Sequence, residues 1–373
     1  MAAECGKQMG WQGKRMDDLF QAAILHDCGV SQTRIHKRLA QFEWEQEGDH
    51  CIIGASLLKT CPSLESLAPI VLHHHTHWST LKDIDLPDEV KLDANCIYMA
   101  DRVDVLSLKF MIDQSNLLLG REEIRRKIAE KRGEWFCTEL VDVFMQVSQS
   151  EAFWLSLENE QVTGYVSVWL AETPVREIEF DELRSIVRIF SYIVDAKSSF
   201  TKDHSDGVAR LARYLGELLH LPVSSCEMLE LAGLLHDIGK LRQPDELLDK
   251  PGKLTPVEYS NIQRHSFDTY VILKNIKGLE KITKWAALHH ERADGSGYPY
   301  HLHNGSLALE ARIVAVADVF QALAQKRPYR DSLQPDQIME ILKEMMNDGK
   351  LDHEVVTCVE KNLQECWKSA LGV

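Results

Sequence analysis

The sequence predicts an all-α protein that contains two related helical units. Apolar residues recur at intervals of three and four along most of the 373 residues, as in the run from Ile313 to Leu323, and this is the periodicity of an amphipathic helix. Strand-like alternation is confined to a short stretch at 162–169. There is also a faint internal repeat, because QAAILHDCG at 21–29 resembles LAGLLHDIG at 231–239. Two copies of one helical unit are the simplest explanation.

Length, composition and charge restrict the class of protein. A chain of this length predicts two or three domains, and 45% apolar with 27% charged residues is typical of globular proteins. The formal net charge of −15 predicts a surface that repels nucleic acid polymers and anionic membranes. The nine cysteines are scattered singly, there is no signal-peptide pattern, and no apolar run is long enough to cross a bilayer. We therefore expect a cytoplasmic protein without disulfides or a membrane anchor.

The pattern of helices and breaks predicts three segments. These are a first domain at 1–150, a helical connector at 151–195 and a second domain at 196–373. A polar, proline-containing stretch at 172–177 marks a break inside the connector, and an amphipathic helix at 180–196 follows it. That helix could pass a signal between the domains, although packing alone would produce the same pattern.

The repeat extends beyond the two HD dipeptides. In the first copy, HD is followed by further metal-binding residue types in the order His50, His73-His74, Asp101. In the second copy, the corresponding order is His265, His289-His290, Asp318. The first two histidines are 24 residues apart in one copy and 29 in the other, and the last histidine precedes the aspartate by 27 and 28 residues. Matching order and spacing support a duplicated unit.

The second copy gathers imidazoles and carboxylates without thiolates. Its set consists of His204, His236, Asp237, His265, His289, His290 and Asp318. Such ligands suit iron, manganese, nickel or zinc, and they are too many for one tetrahedral ion. A carboxylate next to a ligating histidine can bridge two ions, because each of its oxygens can bind a different one. Any one of these residues alone is better explained as an ordinary core or surface residue, but together they predict a centre with two metal ions.

Two segments of the second copy are similar to a known family. HDIGK at 236–240 and HHERADGSGYP at 289–299 resemble the HD-GYP family of bacterial phosphodiesterases, a branch of the HD phosphohydrolase superfamily. The resemblance covers about residues 196–345 and implies tandem helical HD-type domains, the second of them an HD-GYP catalytic domain. In that family the seven positions bind two or three metal ions, with Asp237 as a bridge. Phe200 stands where three-metal members carry a glutamate, so we expect two divalent ions, iron or manganese.

The resemblance also implies the hydrolysis of a cyclic dinucleotide. Two ions about 3.5–4 Å apart can hold a hydroxide between them and neutralise phosphate oxygens, so that water is the nucleophile. We expect Asp237 and Lys240 to be the catalytic residues. Lys240 lies one helical turn beyond His236 and would project from the same face toward a phosphate oxygen or the leaving group. A solvated surface lysine is the alternative.

Further residues are expected to bind the substrate. The resemblance places Arg327 and Arg330 against the second phosphate and a guanine, and the planar guanidinium suits bidentate pairing with phosphate. An exposed pair at a helix end is the alternative for these two. Tyr298 and Pro299 belong to the loop 295–299, whose glycines permit a tight turn. By family analogy, this loop helps to hold the cyclic dinucleotide, as Lys240 does.

The first copy departs from the family pattern in three ways. Val30 stands where the second copy has Lys240, no GYP loop follows the histidine cluster, and too little chain precedes His26 to supply a counterpart of His204. We do not expect hydrolysis there. A degenerate HD domain could hold a metal, bind a nucleotide or serve as a scaffold. The sequence does not distinguish ligands from a polar loop among His73, His74, His75 and His77.

The leading hypothesis is a metal-dependent phosphodiesterase that opens cyclic di-GMP to pGpG, and onward to GMP, with cyclic GMP-AMP as the alternative substrate. A catalytically weak sensor of cyclic dinucleotides that binds a partner is a second hypothesis, and a nucleotidase acting on mononucleotides is a third. The sequence leaves open the native metal, the final product, and whether a homodimer forms or a signalling protein is the partner.

Overall fold

The computed structural model describes residues 1–30, 49–112, 117–197, 203–250, 252–326 and 331–373. Within these ranges the regular structure is helical and contains no β-strand, only two isolated bridges. None of the nine cysteines forms a disulfide. In this described part of the chain, no helix is both long enough and apolar enough to span a bilayer. The all-α prediction is confirmed.

The described residues separate into two compact units, one up to Glu182 and one from Leu183 onward. In the first unit the α-helices are α1 (Ala2–Gln8), α2 (Lys14–Leu25), α3 (Asp49–Lys59), α4 (Ala68–His73), α5 (Trp78–Leu81), α6 (Asp88–Ile112), α7 (Leu117–Glu130), α8 (Thr138–Val147), α9 (Glu151–Leu155) and α10 (Asn159–Glu172). A 3₁₀ helix covers Glu65–Leu67. α4 packs on α3 and α6, and α2 contacts α4 and α6. The alternating stretch at 162–169 lies within α10 and is helical.

In the second unit the α-helices are α11 (Phe180–Asp195, which begins in the first unit), α12 (His204–Leu218), α13 (Val223–Leu235), α14 (Asp245–Leu248), α15 (Pro256–Leu273), α16 (Glu280–Ala287), α17 (Leu309–Ala324), α18 (Pro335–Asn347), α19 (His353–Lys361) and α20 (Leu363–Leu371). The 3₁₀ helices cover Ile238–Arg242 and Asn304–Ser306. α12 packs along α13 and α17, and α16 lies against α13, α15 and α17. The predicted segment boundaries at 150 and 195 stay a prediction.

The helix that carries His265 has a well-defined start. Pro256 occupies the first turn of α15, where a missing N–H costs nothing. Thr255 and Glu258 form a capping box, in which each side chain accepts a hydrogen bond from the other residue's backbone N–H. Such a cap is worth about 1 kcal/mol of helix stability, and it defines where α15 begins.

A close approach of backbones is common to both units. A Cβ placed on Gly239 would lie 2.0 Å from the carbonyl oxygen of His265, and one on Gly29 would lie 2.1 Å from that of His50. Only glycine fits at such a distance. The glycine two residues after each HD dipeptide therefore lets the turn that follows one helix pack against the backbone of a histidine on another helix. This supports the duplication inferred from the sequence.

Candidate metal centres and substrate cleft

The structure brings the seven predicted metal ligands of the second unit together. They come from five places: the first residue of α12, the end of α13, the middle of α15, the residues after α16, and α17. Five of them are almost completely buried, with less than 4% of each residue exposed: His204, His236, Asp237, His265 and His289. Their role as ligands remains a prediction that the geometry below supports.

Six of the seven side chains form two subsites of three residues each. In the first, His204, His236 and Asp318 each offer one ligand atom, and these atoms lie within 4.8 Å of one another. The Asp318 Oδ1 atom lies 3.3 Å from His204 Nε2 and 3.8 Å from His236 Nε2. In the second, His265, His289 and His290 satisfy the same distance limit. Each subsite can therefore supply several donors to one ion.

Asp237 lies between the two subsites. Its Oδ2 atom is 3.3 Å from His236 Nε2 and 3.9 Å from His204 Nε2. Its Oδ1 atom is 3.4 Å from His265 Nε2 and 3.9 Å from His289 Nε2. Because each oxygen faces a different set of histidines, this carboxylate has the placement that a bridging ligand needs.

Hydrogen bonds to the opposite ring nitrogen orient the histidines. Nδ1 of His236 donates to the Gly233 carbonyl at 2.7 Å, and Nδ1 of His289 donates to the Ala286 carbonyl at 2.6 Å. His265 makes the same kind of bond to the carbonyl three residues earlier. With Nδ1 protonated, Nε2 presents its lone pair to the centre, which is the usual orientation of histidines around a metal.

The donor chemistry fits divalent transition ions. His236 Nε2 and Asp237 Oδ1 are buried and have no hydrogen-bond partner within the described residues. Burial and neighbouring imidazoles hold the pKa of His289 well below its ordinary value and lower that of His290 to about 3, so both rings are neutral donors. Imidazole and carboxylate without thiolate suit iron, manganese or zinc.

The carboxylates of Asp237 and Asp318 also favour positive charge in this buried site. Burial raises the pKa of Asp237, but the charges of His236 and Lys240 outweigh it and hold this pKa well below its ordinary value. Burial lowers the pKa of His236, but Asp237 and Asp318 outweigh it and raise this pKa to about 9. The two carboxylates therefore favour positive charge beside His236 Nε2, and a divalent ion there would supply it in place of a proton.

Lys240 lies at the centre, but in a different kind of helix from the one predicted to carry it. α13 ends at Leu235, and Lys240 lies in the following 3₁₀ helix rather than on a continuous α-helix. Its ammonium nevertheless forms an ion pair with Asp237 Oδ2, and the side chain is 22% exposed. The prediction that it projects toward the centre therefore agrees with the geometry, whereas the predicted helical context is wrong because the HD dipeptide ends the helix.

The GYP loop is folded against the end of the histidine pair. A Cβ on Gly297 would lie 2.3 Å from the Arg292 backbone nitrogen, so the loop requires glycine there. The Tyr298 N–H donates to the His290 carbonyl at 3.1 Å, and the two rings are 4.8 Å apart. The peptide to the half-buried Pro299 is cis. The loop thus places Tyr298 directly beside a predicted metal ligand.

Glu291 fixes the far side of this loop and was missed by the sequence reasoning. It is 3% exposed, and its carboxylate oxygens accept hydrogen bonds from the N–H groups of Tyr300 at 2.7 Å and Leu302 at 2.9 Å. Its position next to His290 inside HHERADGSGYP was the available signal. This buried carboxylate with two backbone donors holds the loop beside the predicted ligand His290.

A cleft of about 240 Å³ opens beside the second subsite. Its lining combines predicted ligands with side chains that could contact a nucleotide: Tyr259, Arg292, Tyr298, Val319 and Met345. Arg327, Arg330 and Phe200 lie outside the described residues, so their predicted roles stay predictions. Of the other predicted substrate-binding residues, Tyr298 lines this cleft, whereas Lys240 and Pro299 are not among its lining residues, and their roles also stay predictions.

Three other positioning groups were also missed. Gln321 is 2% exposed, and its Oε1 accepts a hydrogen bond from His204 Nδ1. The carboxylate of Asp195 accepts from both the N–H and the hydroxyl of Ser205, which anchors the start of α12. Thr269 donates to the His236 carbonyl at 2.9 Å and accepts from the Gly239 N–H at 3.1 Å. These contacts join segments that are distant in sequence, so no local pattern indicated them.

The first unit contains a smaller group of the same kind. Asp27, His50, His74 and His75 each offer a ligand atom, and these atoms lie within 4.8 Å of one another. The pair that enters this group is therefore His74-His75, and the pairing of His73-His74 with the second copy was wrong by one residue. His73 instead contacts Thr76 Oγ1 through Nδ1 at 3.3 Å. His73 is the last residue of α4, whereas His74 and His75 follow its end, as His289 and His290 follow the end of α16.

Comparison with known proteins agrees with this arrangement. A family model described as HD domain matches residues 188–355, and another HD domain model matches residues 1–106. The 3'3'-cGAMP-specific phosphodiesterase 1 of Vibrio cholerae is 38% identical over 377 aligned positions, which cover 100% of this chain and 87% of that protein. The chain belongs to the HD-GYP family of cyclic dinucleotide phosphodiesterases. This membership confirms the expected enzyme class, a metal-dependent phosphoric diester hydrolase.

Two further members of this HD-GYP family are informative. The cyclic di-GMP phosphodiesterase response regulator RpfG of Xanthomonas campestris is 35% identical over 198 residues, covering 52% of this chain and 50% of that protein. The crystal structure of the cyclic GMP-AMP specific phosphodiesterase V-cGAP3 of Vibrio cholerae superposes with a TM-score of 0.61 at 25% identity, covering 100% of this chain and 91% of that chain. The tandem HD architecture expected from the sequence is thereby confirmed.

Proposed function

We propose that this chain hydrolyses 3'3'-cyclic GMP-AMP at the centre of its second unit. The observation that carries the proposal is the share of this chain that each relative covers. The 3'3'-cGAMP-specific phosphodiesterase 1 aligns with 100% of the chain, whereas the cyclic di-GMP phosphodiesterase RpfG aligns with 52%. The sequence-based hypothesis placed cyclic di-GMP first. The full-length likeness reverses that order, and cyclic di-GMP becomes the second candidate.

The proposed cofactors are two divalent transition ions, iron or manganese. His204, His236 and Asp318 would hold one ion, and His265, His289 and His290 the other, with Asp237 shared. When bound, such ions activate water and neutralise the charge on phosphate oxygens. The unpartnered His236 Nε2 and Asp237 Oδ1 atoms support this assignment.

The protein's own residues would position the phosphodiester. Lys240 places a cation beside Asp237, where it can donate a hydrogen bond to a nonbridging phosphate oxygen or a proton to the leaving group. Burial raises the pKa of the Tyr298 phenol, so its hydroxyl remains a hydrogen-bond donor toward the ligand. The GYP loop keeps this tyrosine against His290. Opening one phosphodiester bond would release a linear dinucleotide.

The test is product chromatography with both cyclic dinucleotides after reconstitution with iron, manganese or zinc. We expect kcat/KM for cyclic GMP-AMP to exceed that for cyclic di-GMP by at least about tenfold, which is the selectivity that a few base-specific contacts can supply. Equal values, or a preference for cyclic di-GMP, would contradict the substrate assignment.

The matched variants are Asp237→Ala and Asp206→Asn. Asp237→Ala should lower kcat by at least about a thousandfold, because it removes the ligand shared by both subsites. Asp206 lies two residues from His204, and its partly exposed carboxylate faces Arg188 at 3.5 Å, so Asp206→Asn should leave hydrolysis unchanged. Wild-type turnover by Asp237→Ala would refute the proposed mechanism.

A further inference from the structure

We propose that the first unit holds a single structural transition-metal ion between Asp27, His50, His74 and His75, and that the Arg102 guanidinium replaces the second ion. This inference concerns a different unit from the proposed hydrolysis and does not rest on it. It assigns to the first unit a metal site that differs from the second in ion number and in purpose.

The donor atoms converge on one side of Asp27. Its Oδ1 atom lies 3.5 Å from His50 Nε2 and 3.7 Å from His74 Nε2. The rings of His74 and His75 are 4.3 Å apart, and the rings of His50 and His75 are 5.1 Å apart. Three imidazoles and one carboxylate make a complete four-coordinate set, which is the usual number for a structural zinc site.

The orientation of these donors is set from outside the group. His74 is fully buried, and its Nδ1 donates to the Val71 carbonyl at 2.6 Å, which leaves Nε2 facing Asp27. Both His74 Nε2 and Asp27 Oδ1 are buried without a hydrogen-bond partner in the described part of the chain. An orphaned nitrogen lone pair next to an orphaned carboxylate oxygen is costly unless a cation lies between them.

The other side of the group has a different composition. There, His26 Nε2 lies 3.6 Å from Asp27 Oδ2 and 4.0 Å from Asp101 Oδ1, but among the described residues these three do not form a group whose ligand atoms all lie within 4.8 Å of one another. Nε and Nη2 of Arg102 donate to Asp101 Oδ2 at 3.0 and 2.6 Å. Arg102 is 2% exposed, so its charge is held in place beside the carboxylate. The second unit has Val319 at this position, directly after Asp318.

The charge pattern explains why only one ion is inferred. A guanidinium that is always protonated compensates the charge of Asp101, so His26, Asp27 and Asp101 lack the excess negative charge that a second cation needs. The remaining four ligands would close the coordination sphere and leave no open position for a substrate. The ion would instead join the end of α2, the start of α3 and the end of α4, and thereby stabilise the first unit.

The experiment uses the full chain with Asp237→Ala, which removes the shared ligand of the second unit. After dialysis against Zn²⁺ and removal of free metal, elemental analysis should find one ion per chain. Adding His74→Ala should remove this ion and lower the melting temperature of the first unit, whereas the neighbouring His73→Ala should do neither. No bound ion in Asp237→Ala, or equal ion content in the His73 and His74 variants, would overturn the proposal.

Arg102 is tested in the same background. Arg102→Met should raise the zinc content above one ion per chain, because Asp101 loses its compensating charge, whereas Arg102→Lys should stay at one. Unchanged zinc content in Arg102→Met would refute the replacement of an ion by the guanidinium. If Arg102→Met does not fold, anomalous diffraction from zinc-loaded Asp237→Ala decides the point. One peak at Asp27 supports the proposal, and a second peak at Asp101 contradicts it. Failure of the hydrolysis proposal would leave these ion counts unaffected.

Discussion

The two units share a scaffold and differ in the groups that could act on a phosphate. In both, the glycine two residues after the HD dipeptide packs against a histidine carbonyl. A Cβ placed on that glycine would lie 2.0 Å from the carbonyl oxygen in one unit and 2.1 Å in the other. In the second unit, Lys240 and the GYP loop surround the centre. The first unit has Val30 in place of Lys240 and Arg102 beside its aspartate. The close-packed turn is common to both copies, so we attribute catalysis to the residues that surround it in the second unit alone.

Among the substitutions that exchange features between the two units, the largest effect should come from making the second unit resemble the first at Lys240. Lys240→Val removes the ammonium that lies beside Asp237, and we expect kcat to fall by about a hundredfold, as for the loss of one charge-stabilising donor in an active site. The metal content should not change, because the ligand set is intact. Lys240→Arg, which keeps the charge, should retain more activity. An unchanged kcat in Lys240→Val would show that the two units differ for another reason.

Gln321 provides a second contrast, because Asp104 occupies the equivalent position in the first unit, three residues after Asp101. Gln321→Leu removes the acceptor for His204 Nδ1 and should weaken the binding of the first-subsite ion by about 10–100-fold. Metal titration followed by elemental analysis measures this. Gln321→Glu restores an acceptor and should rescue the affinity. Equal affinities in the Leu and Glu variants would contradict a positioning role.

The GYP loop has no counterpart in the first unit, and Glu291 is the residue that anchors it. In Glu291→Gln one oxygen becomes an NH₂ group, which cannot accept the N–H bond of Tyr300 or Leu302. We expect KM for the cyclic dinucleotide to rise by about tenfold, with ion content unchanged, because a charge-assisted bond is worth about 1.5–3 kcal/mol. Steady-state kinetics with metal analysis distinguishes this from loss of the centre. A fall in ion content with constant KM would contradict the assignment.

The smallest effect should come from Thr269, whose counterpart four residues after His50 is Gly54. Thr269→Val keeps the volume but loses the hydrogen bonds to His236 and Gly239. The free energy of unfolding should decrease by about 1–2 kcal/mol, because both backbone groups are buried. Thr269→Ser keeps the hydroxyl and should be nearly neutral. Denaturant unfolding measures the difference in stability. Equal stability of the two variants would show that the two hydrogen bonds of the Thr269 hydroxyl contribute nothing.

The sequence predicted the fold class and the set of residues that meet in the second unit. Helical periodicity and the repeated HD pattern were sufficient, because helix faces and ligand order are properties of the chain itself. The positioning groups Gln321, Asp195 and Thr269 were not predictable, since each contacts a partner that is near only after folding. Which two adjacent histidines of the first unit enter its group depends on where α4 ends. The polar run that begins at His73 gives no sequence signal for that end.

The central claim is that His204, His236, Asp237, His265, His289, His290 and Asp318 hold two ions that share Asp237. Anomalous diffraction at the manganese or iron edge, from crystals of the metal-loaded full chain, measures it directly. We expect two peaks in the second unit, about 3.5–4 Å apart, with one oxygen of Asp237 on each. A single peak, or two peaks with Asp237 bound to only one of them, would contradict it.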